Sequence, residues 1–219
     1  MPNGLFPSMS YVSELSGKKC LVIGAGVTGQ AVDKALKKFG ATSYLFDEKT
    51  GLMHHCWYSD SRKPGIAFWG RANGWVVWAH SEALMRLPKN HPSYKTVAGL
   101  FRRHMEALVA VQGKAGLWHQ ILDNPDSFEE TSCTAMFMIG MARGMRLGVL
   151  DKSYREPFEK ALKGLQSRIS DDGIIRDIGR GTEISNDPTY YLTRERFDND
   201  PRGLGAVVTA LVEAEQILK

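Results

Sequence analysis

A chain of 219 residues, 43% hydrophobic and 24% charged, has the make-up of one globular domain or a domain with a small appended unit, which excludes a disordered or fibrous protein. Its net charge of +4 is scattered, and Lys37-Lys38 and Arg102-Arg103 are only pairs. That pattern reads as solvated helix faces and not as a nucleic-acid surface, while still suiting a small anionic substrate. The three cysteines, Cys20, Cys56 and Cys133, are far apart and odd in number, which argues against a disulfide framework or a zinc site and for a reducing compartment. Residues 1–19 hold no apolar run of signal-peptide length, and no stretch approaches the ~18 apolar residues of a membrane span. The expectation is a soluble, cytoplasmic protein with no membrane partner and no nucleic-acid partner.

In chain order, residues 18–47 read as strand, Gly-rich turn, helix and strand. Cys20-Leu21-Val22-Ile23 is a short apolar run, Gly24, Gly26 and Gly29 form a G-x-G-x-x-G, and Ala31 to Phe39 has helical character with Gly40 as its stop. Ser43-Tyr44-Leu45-Phe46 is a second strand ending at Asp47. Such a loop permits a tight turn and a close backbone approach to phosphate, and Asp47 stands where a ribose hydroxyl would be met.

From residue 75 onward the pattern is mostly helical. Trp75 to Leu87 stops before Pro88, and Val97, Leu100, Phe101, Met105, Leu108 and Val111 recur at helical spacing. Thr131 to Leu147 is apolar on several faces, with Gly140 and Gly144 open to a close neighbour. Thr131 and Ser132 read as its N-cap and not as a nucleophile. Tyr154 to Ile169 carries a single stripe, with Ser153 and Glu156 as a capping box. The stretch 171–202 reads as a long functional loop with a short strand at Ile174-Ile175, before a last helix marked by Leu204, Val207, Val208, Leu211 and Leu218. Helices with one stripe alternate with helices apolar on several faces, as two nested helical layers require; an ordinary bundle fits the same periodicity.

Three clusters stand at helix mouths: Trp69-Gly70-Arg71-Ala72-Asn73-Gly74-Trp75, Gly116-Leu117-Trp118-His119-Gln120, and Glu130-Thr131-Ser132-Cys133-Thr134-Ala135. Flat rings beside fixed hydrogen-bonding groups suit a sugar, which offers an apolar face and a rim of hydroxyls. With Phe46-Asp47-Glu48-Lys49-Thr50-Gly51-Leu52, His54-His55-Cys56-Trp57 and Asp200-Pro201-Arg202-Gly203-Leu204-Gly205, these clusters resemble the unsaturated rhamnogalacturonyl and glucuronyl hydrolases from about Tyr44 to the C-terminus. The resemblance implies a glycoside hydrolase with an (α/α)6 barrel. Its substrate would be an unsaturated uronyl oligosaccharide whose C4=C5 enol ether is protonated at C4 and takes water at C5. That chemistry needs one well-placed carboxylic acid, whereas ordinary glycoside cleavage uses two.

The family's catalytic Asp lies in a Trp-x-Asp motif upstream of the Phe-Asp-Glu-Lys-Thr-Gly segment, and residues 1–46 contain none, so the catalytic residue is left unassigned. The resemblance implies substrate-binding roles for His55, Trp69, Arg71, Trp75, Trp118 and His119. Arg71 is the candidate for the substrate carboxylate, against a helix-start arginine paired with a local Asp. Trp69 and Trp75 read equally as stacking platforms or core rings, and His55 and His119 as donors to hydroxyls or structural hydrogen-bonders. His54-His55 lacks the spacing of a metal site.

The expected fold is mainly α: a partial (α/α)6 barrel at 48–219, a double layer of helices, behind a small N-terminal β-α-β unit at 1–47. That unit resembles the N-terminal unit of the Mur ligase that adds D-glutamate to a peptidoglycan precursor. Gly24, Gly26, Gly29 and Asp47 are its candidate cofactor-binding residues, but two strands are too few for a working nucleotide site and no cofactor is expected. A nucleotide-binding protein and a carbohydrate-binding remnant without turnover are the alternatives. A second copy of the chain would cover the incomplete barrel.

Overall fold

The computed structural model describes residues 19–20, 42–43, 47–58 and 63–219. Strand β1 (Lys19–Cys20) pairs in parallel with β2 (Thr42–Ser43), with Lys19 opposite Thr42. The Gly-rich turn, the helix at 31–39 and the candidates Gly24, Gly26 and Gly29 lie outside the described residues.

Strand β3 (Trp57–Tyr58) runs antiparallel to β4 (Lys63–Pro64). Helices α1 (Gly70–Arg86) and α2 (Tyr94–Ala110) follow. Strands β5 (Trp118–His119) and β6 (Glu129–Glu130) pair antiparallel and lead into α3 (Thr131–Arg146). A 3-10 turn at Lys152–Tyr154 opens α4 (Arg155–Gln166). The segment to residue 200 holds β7 (Ile178–Gly179), the short α5 (Pro188–Leu192) and β8 (Arg196–Phe197), before the final helix α6 (Pro201–Leu218). The expected strand at Ile174-Ile175 is a single bridge between Ile169 and Ile175.

Helix α3 is the centre of the molecule. Every residue from Thr131 to Gly144 is buried, because α1, α2, α4 and α6 all pack on it. Its small residues set the distances. A Cβ at Gly140 would sit 2.2 Å from Val77 of α1, and one at Gly144 would sit 2.5 Å from Leu150. The contacts Gly74 on Met136, Val77 on Gly140 and Arg143 on Ser81 climb both helices together, so α1 and α3 run parallel. Ser132 against Gly203 and Arg143 against Glu213 show the same for α3 and α6. Among the described residues, α1, α3 and α6 therefore form a parallel inner layer, with α2 and α4 as the outer layer. At the far end Arg143 bridges Glu82 and Glu213 at 2.6 and 2.7 Å, tying the three inner helices together.

Three expected helix starts differ. Helix α1 begins at Gly70, five residues before the expected start. Gly70 and Gly74 do not break it, because Cβ atoms there would lie 2.9 Å from Cys133 and 2.6 Å from Met136; the glycines admit α3. At α3 the cap is not Thr131 or Ser132 but Glu130, whose carboxylate accepts the Cys133 N–H at 2.7 Å. The Ser153–Glu156 capping box does not form either; Asp151 caps the preceding turn by accepting the Ser153 N–H at 2.8 Å.

Gly116 makes the closest of these approaches. It has φ +91°, and a Cβ would meet the Lys160 carbonyl oxygen at 2.1 Å. Backbone strain and a backbone clash combine there, so Gly116→Ala should cost about 2–3 kcal/mol. Chemical denaturation would show it, and a loss below about 0.5 kcal/mol would mean the β5 approach is not rigid.

Candidate functional site

The N-terminal ends of α1, α3 and α6 gather at one end of the inner layer, so their helix dipoles converge there. Asp200 caps α6, accepting the Arg202 N–H at 2.9 Å, and takes the Arg202 guanidinium through both carboxylate oxygens. That side-chain hydrogen bond, which outweighs desolvation, holds the Asp200 carboxyl below its ordinary range.

Arg71 and Glu130 form the buried heart of this end. Arg71 Nε donates to Ser132 Oγ at 2.8 Å, and Nη2 donates to Glu130 at 3.1 Å and to the Gly179 carbonyl. Glu130 also accepts from the Gly179 N–H at 2.9 Å and from Ser132 Oγ at 2.8 Å. Burial alone would raise the Glu130 carboxyl. The Arg71 charge and the hydrogen bonds from Gly179, Cys133 and Ser132 outweigh it, so the carboxyl stays ionised below its ordinary range. The expectation that Arg71 grips a substrate carboxylate is thus corrected. Its residue is 3% exposed, and its guanidinium bonds Glu130, Ser132 and β7 instead.

The other candidates separate. Trp118 is fully buried, edge-on to Phe137, with its indole N–H on the Leu108 carbonyl at 2.7 Å; it is a core ring, which corrects its binding role. Half-buried His119 is held by the Ser127 carbonyl at Nδ1. Trp69 is buried, with its indole N–H on Gln120 Oε1 at 3.2 Å, so its ring is no open platform. It packs edge-on against His55, at 4.5 Å between centroids. Half-buried His55 also bonds the Tyr191 hydroxyl at 3.0 Å, and burial pushes its imidazole down to about 4, so the ring is neutral near pH 7. Trp75 alone of the six presents a widely open ring: it is 50% exposed and stacked on Trp78 at 5.8 Å. The expected gathering of Trp69, Arg71 and Trp75 around one ligand is therefore replaced by a different set: His55, Tyr191 and Gln120, joined through the Trp69 ring and the Tyr191 hydroxyl, with Tyr191 reaching a cleft of about 250 Å3 that Ile66, Ala67, Ile121 and Asp123 also line.

Sequence reasoning passed over Tyr191 and Trp78. Tyr191 sits in the aperiodic 171–202 stretch, where spacing carries no signal, and Trp78 reads as one more apolar residue of α1. Gln120 was part of a recognised cluster. Its side-chain Nε2 is buried and has no hydrogen-bond partner, an unmet donor of the kind a ligand or water satisfies. Asp47 does not stand ready for a ribose. Its Oδ1 accepts from Thr50 N and Oγ1 at 2.8 and 2.9 Å, and its Oδ2 lies 3.5 Å from His54 Nε2, closing a local turn. Among the described residues, no three metal-ligating side chains gather, and no helix is long and apolar enough to cross a membrane.

Two nested helical layers, with the inner helices parallel and their N-terminal ends at one mouth, are the architecture of part of an α/α barrel. The chain belongs to Glycosyl Hydrolase Family 88, whose model matches residues 27–218. It is 30% identical over 193 residues to an unsaturated rhamnogalacturonyl hydrolase of Bacillus subtilis, covering 85% of this chain and 54% of that one. A crystal structure from Salmonella enterica, described as a possible member of the GH105 family, superposes with a TM-score of 0.75 at 29% identity, over 80% of this chain and 47% of that one. The chain thus spans about half the length of these two relatives. A 24.9 kDa protein in the picA locus of Rhizobium radiobacter is 30% identical over 213 residues, covering 84% of this chain and 91% of its own length.

Proposed function

We propose that the chain handles unsaturated uronyl oligosaccharides of the rhamnogalacturonan type, in the cytoplasm, at the mouth where α1, α3 and α6 begin. The observation that carries this reading is the linked set of neutral His55, the Tyr191 hydroxyl and the unmet Gln120 donor around Trp69, with Tyr191 and Asp123 lining the adjoining cleft. These groups donate to and accept from hydroxyls, and the open Trp75–Trp78 pair offers an apolar face. The converging dipoles favour the uronate's negative charge. Hydration of the sugar would place a proton on C4 and water on C5, after which the hemiketal opens and releases the neighbouring sugar.

Binding without turnover is the second reading, and a specific observation favours it. Glu130 and Asp200, the carboxylates at the helix starts, are both held ionised by arginines, so neither is a proton donor near neutral pH; Asp123, which lines the cleft, is the carboxylate left to a catalytic reading. We also propose the division into a unit at 1–47 and a barrel portion at 48–219, with family-like sequence reaching back to residue 27.

Adding an unsaturated rhamnogalacturonan disaccharide and following the absorbance of its C4=C5 bond separates the two readings. Loss of absorbance supports turnover; binding in a calorimeter without loss supports the remnant; neither outcome would end the carbohydrate assignment. His55→Ala should weaken binding about fivefold to tenfold, the worth of one hydrogen bond. Arg102→Ala, exposed on α2, should leave it unchanged.

A further inference from the structure

Helix α5 is short, and it sets two adjacent rings in different directions. Asp187 caps it by accepting the Thr189 N–H at 2.8 Å, with Pro188 in its first turn. Tyr190 and Tyr191 then stand edge-on to each other, 5.6 Å apart between centroids. Both hydroxyls accept backbone N–H groups at 3.2 Å, Tyr190 from Glu183 and Tyr191 from Ser185, so segment 183–185 fixes the two rings. Tyr191 meets His55 and lines the cleft. Tyr190 carries a cation: the Arg194 guanidinium lies over it, 4.6 Å from the ring centroid.

Arg194 is fixed in place but not neutralised. Its Nη2 donates to the Gly181 carbonyl at 2.7 Å, which together with the tyrosine face sets the plane of the fork. Gly181 also lies beside the start of α6, since a Cβ there would sit 3.0 Å from Arg202, so this guanidinium belongs to the same mouth. The other arginines around it are engaged by carboxylates: Arg180 by Glu195, Arg196 by Asp177 and Arg202 by Asp200. Arg71 is likewise taken by Glu130. Among the described residues Arg194 pairs with no carboxylate, and its buried Nε has no hydrogen-bond partner. A rigid guanidinium with unmet donors suits a planar anion, which accepts two parallel N–H bonds.

We infer that Arg194 is a second anion subsite, which takes the carboxylate of the next uronate along an oligosaccharide whose unsaturated end lies at His55 and Tyr191. This inference rests on the proposed sugar class and extends it to chain length. Rhamnogalacturonan alternates a uronate with a neutral deoxysugar, so its acidic groups fall two sugar units apart. Two contacts, Tyr191 to Tyr190 and Tyr190 to Arg194, separate the guanidinium from the first site, each comparable with the width of one sugar ring. A disaccharide ends before reaching Arg194, whereas a tetrasaccharide brings its inner carboxylate there. The chain therefore favours the longer ligand.

Calorimetry of the 219-residue chain with an unsaturated rhamnogalacturonan disaccharide and tetrasaccharide is the test. The tetrasaccharide should bind about tenfold more tightly, the worth of one hydrogen-bonded charge contact. Arg194→Gln should erase that gain and leave disaccharide affinity and circular dichroism unchanged. Arg176→Gln, which removes the same charge from an exposed position of the loop, should keep the gain. A tetrasaccharide methyl-esterified at its inner carboxyl should bind the unaltered chain no better than the disaccharide, which probes the anion without any substitution. If the disaccharide binds but the tetrasaccharide gains nothing, the second subsite is overturned and the proposed function stands. A gain that survives Arg194→Gln or esterification has the same meaning, as does one that Arg176→Gln also removes. If neither oligosaccharide binds, both are overturned.

Discussion

Arg71→Ala should lower the stability of the fold by about 3–5 kcal/mol, the usual consequence of removing one partner of a buried ion pair. Arg71 is 3% exposed and Glu130 fully buried, so the substitution strands a carboxylate that α3 needs as its cap. It also removes donors to Ser132 and to the Gly179 carbonyl, which join α1 to α3 and β7. A variant carrying Arg71→Met together with Glu130→Gln should recover part of the loss, since an uncharged pair carries far less desolvation penalty. Urea denaturation of the single and double variants measures both effects. If Arg71→Ala keeps full stability yet abolishes sugar binding, the arginine faces substrate after all and the structural assignment is wrong.

Acidification should weaken the fold steeply below about pH 6.5. His80 and His104 are buried between α1 and α2, and burial pushes their imidazoles down to about 4 and about 3; their mutual repulsion adds to the effect on His104. His104 also shares Asn73 Oδ1 at 2.9 Å, through which Asn73 connects to the Met53 backbone. In the unfolded chain both rings titrate near 6.5. The folded values are depressed, so between 6.5 and about 4 the unfolded chain binds protons that the folded chain refuses. Stability is then complete above 6.5 and falls with pH at about 1.4 kcal/mol per unit for each histidine. The urea midpoint should therefore drop markedly from pH 7 to pH 5. His55 is depressed in the same way, so His80→Gln should flatten that slope by roughly a third, even though it costs some stability at pH 7. A slope unchanged by the substitution would show that other groups govern the acid response.

The candidate site shows how far sequence signals reach. The motif around Arg71 was legible because arginine beside tryptophans suits an acidic sugar. Yet the same composition serves a buried pair, and only the position of Glu130, 59 residues away, decides between them. Trp118 and Trp75 likewise look alike in sequence. One is sealed by Phe137 and the Leu108 carbonyl, and the other lies half exposed, stacked on Trp78. Tyr191 reaches His55 across 136 residues, a pairing no local pattern encodes.

Local chemistry, by itself, determined that this is a protein of amphipathic helices alternating with all-round apolar ones, and its motifs placed it among the unsaturated uronyl hydrolases. Helical periodicity and motif order are properties of neighbouring residues, so they survive without coordinates. Tertiary packing alone decided that Gly70 and Gly74 lie inside a helix, that Glu130 caps α3, and that Arg71 is sealed while Trp75 is open. Each of those outcomes depends on which distant surface approaches, and that is set by the burial of one helix against another.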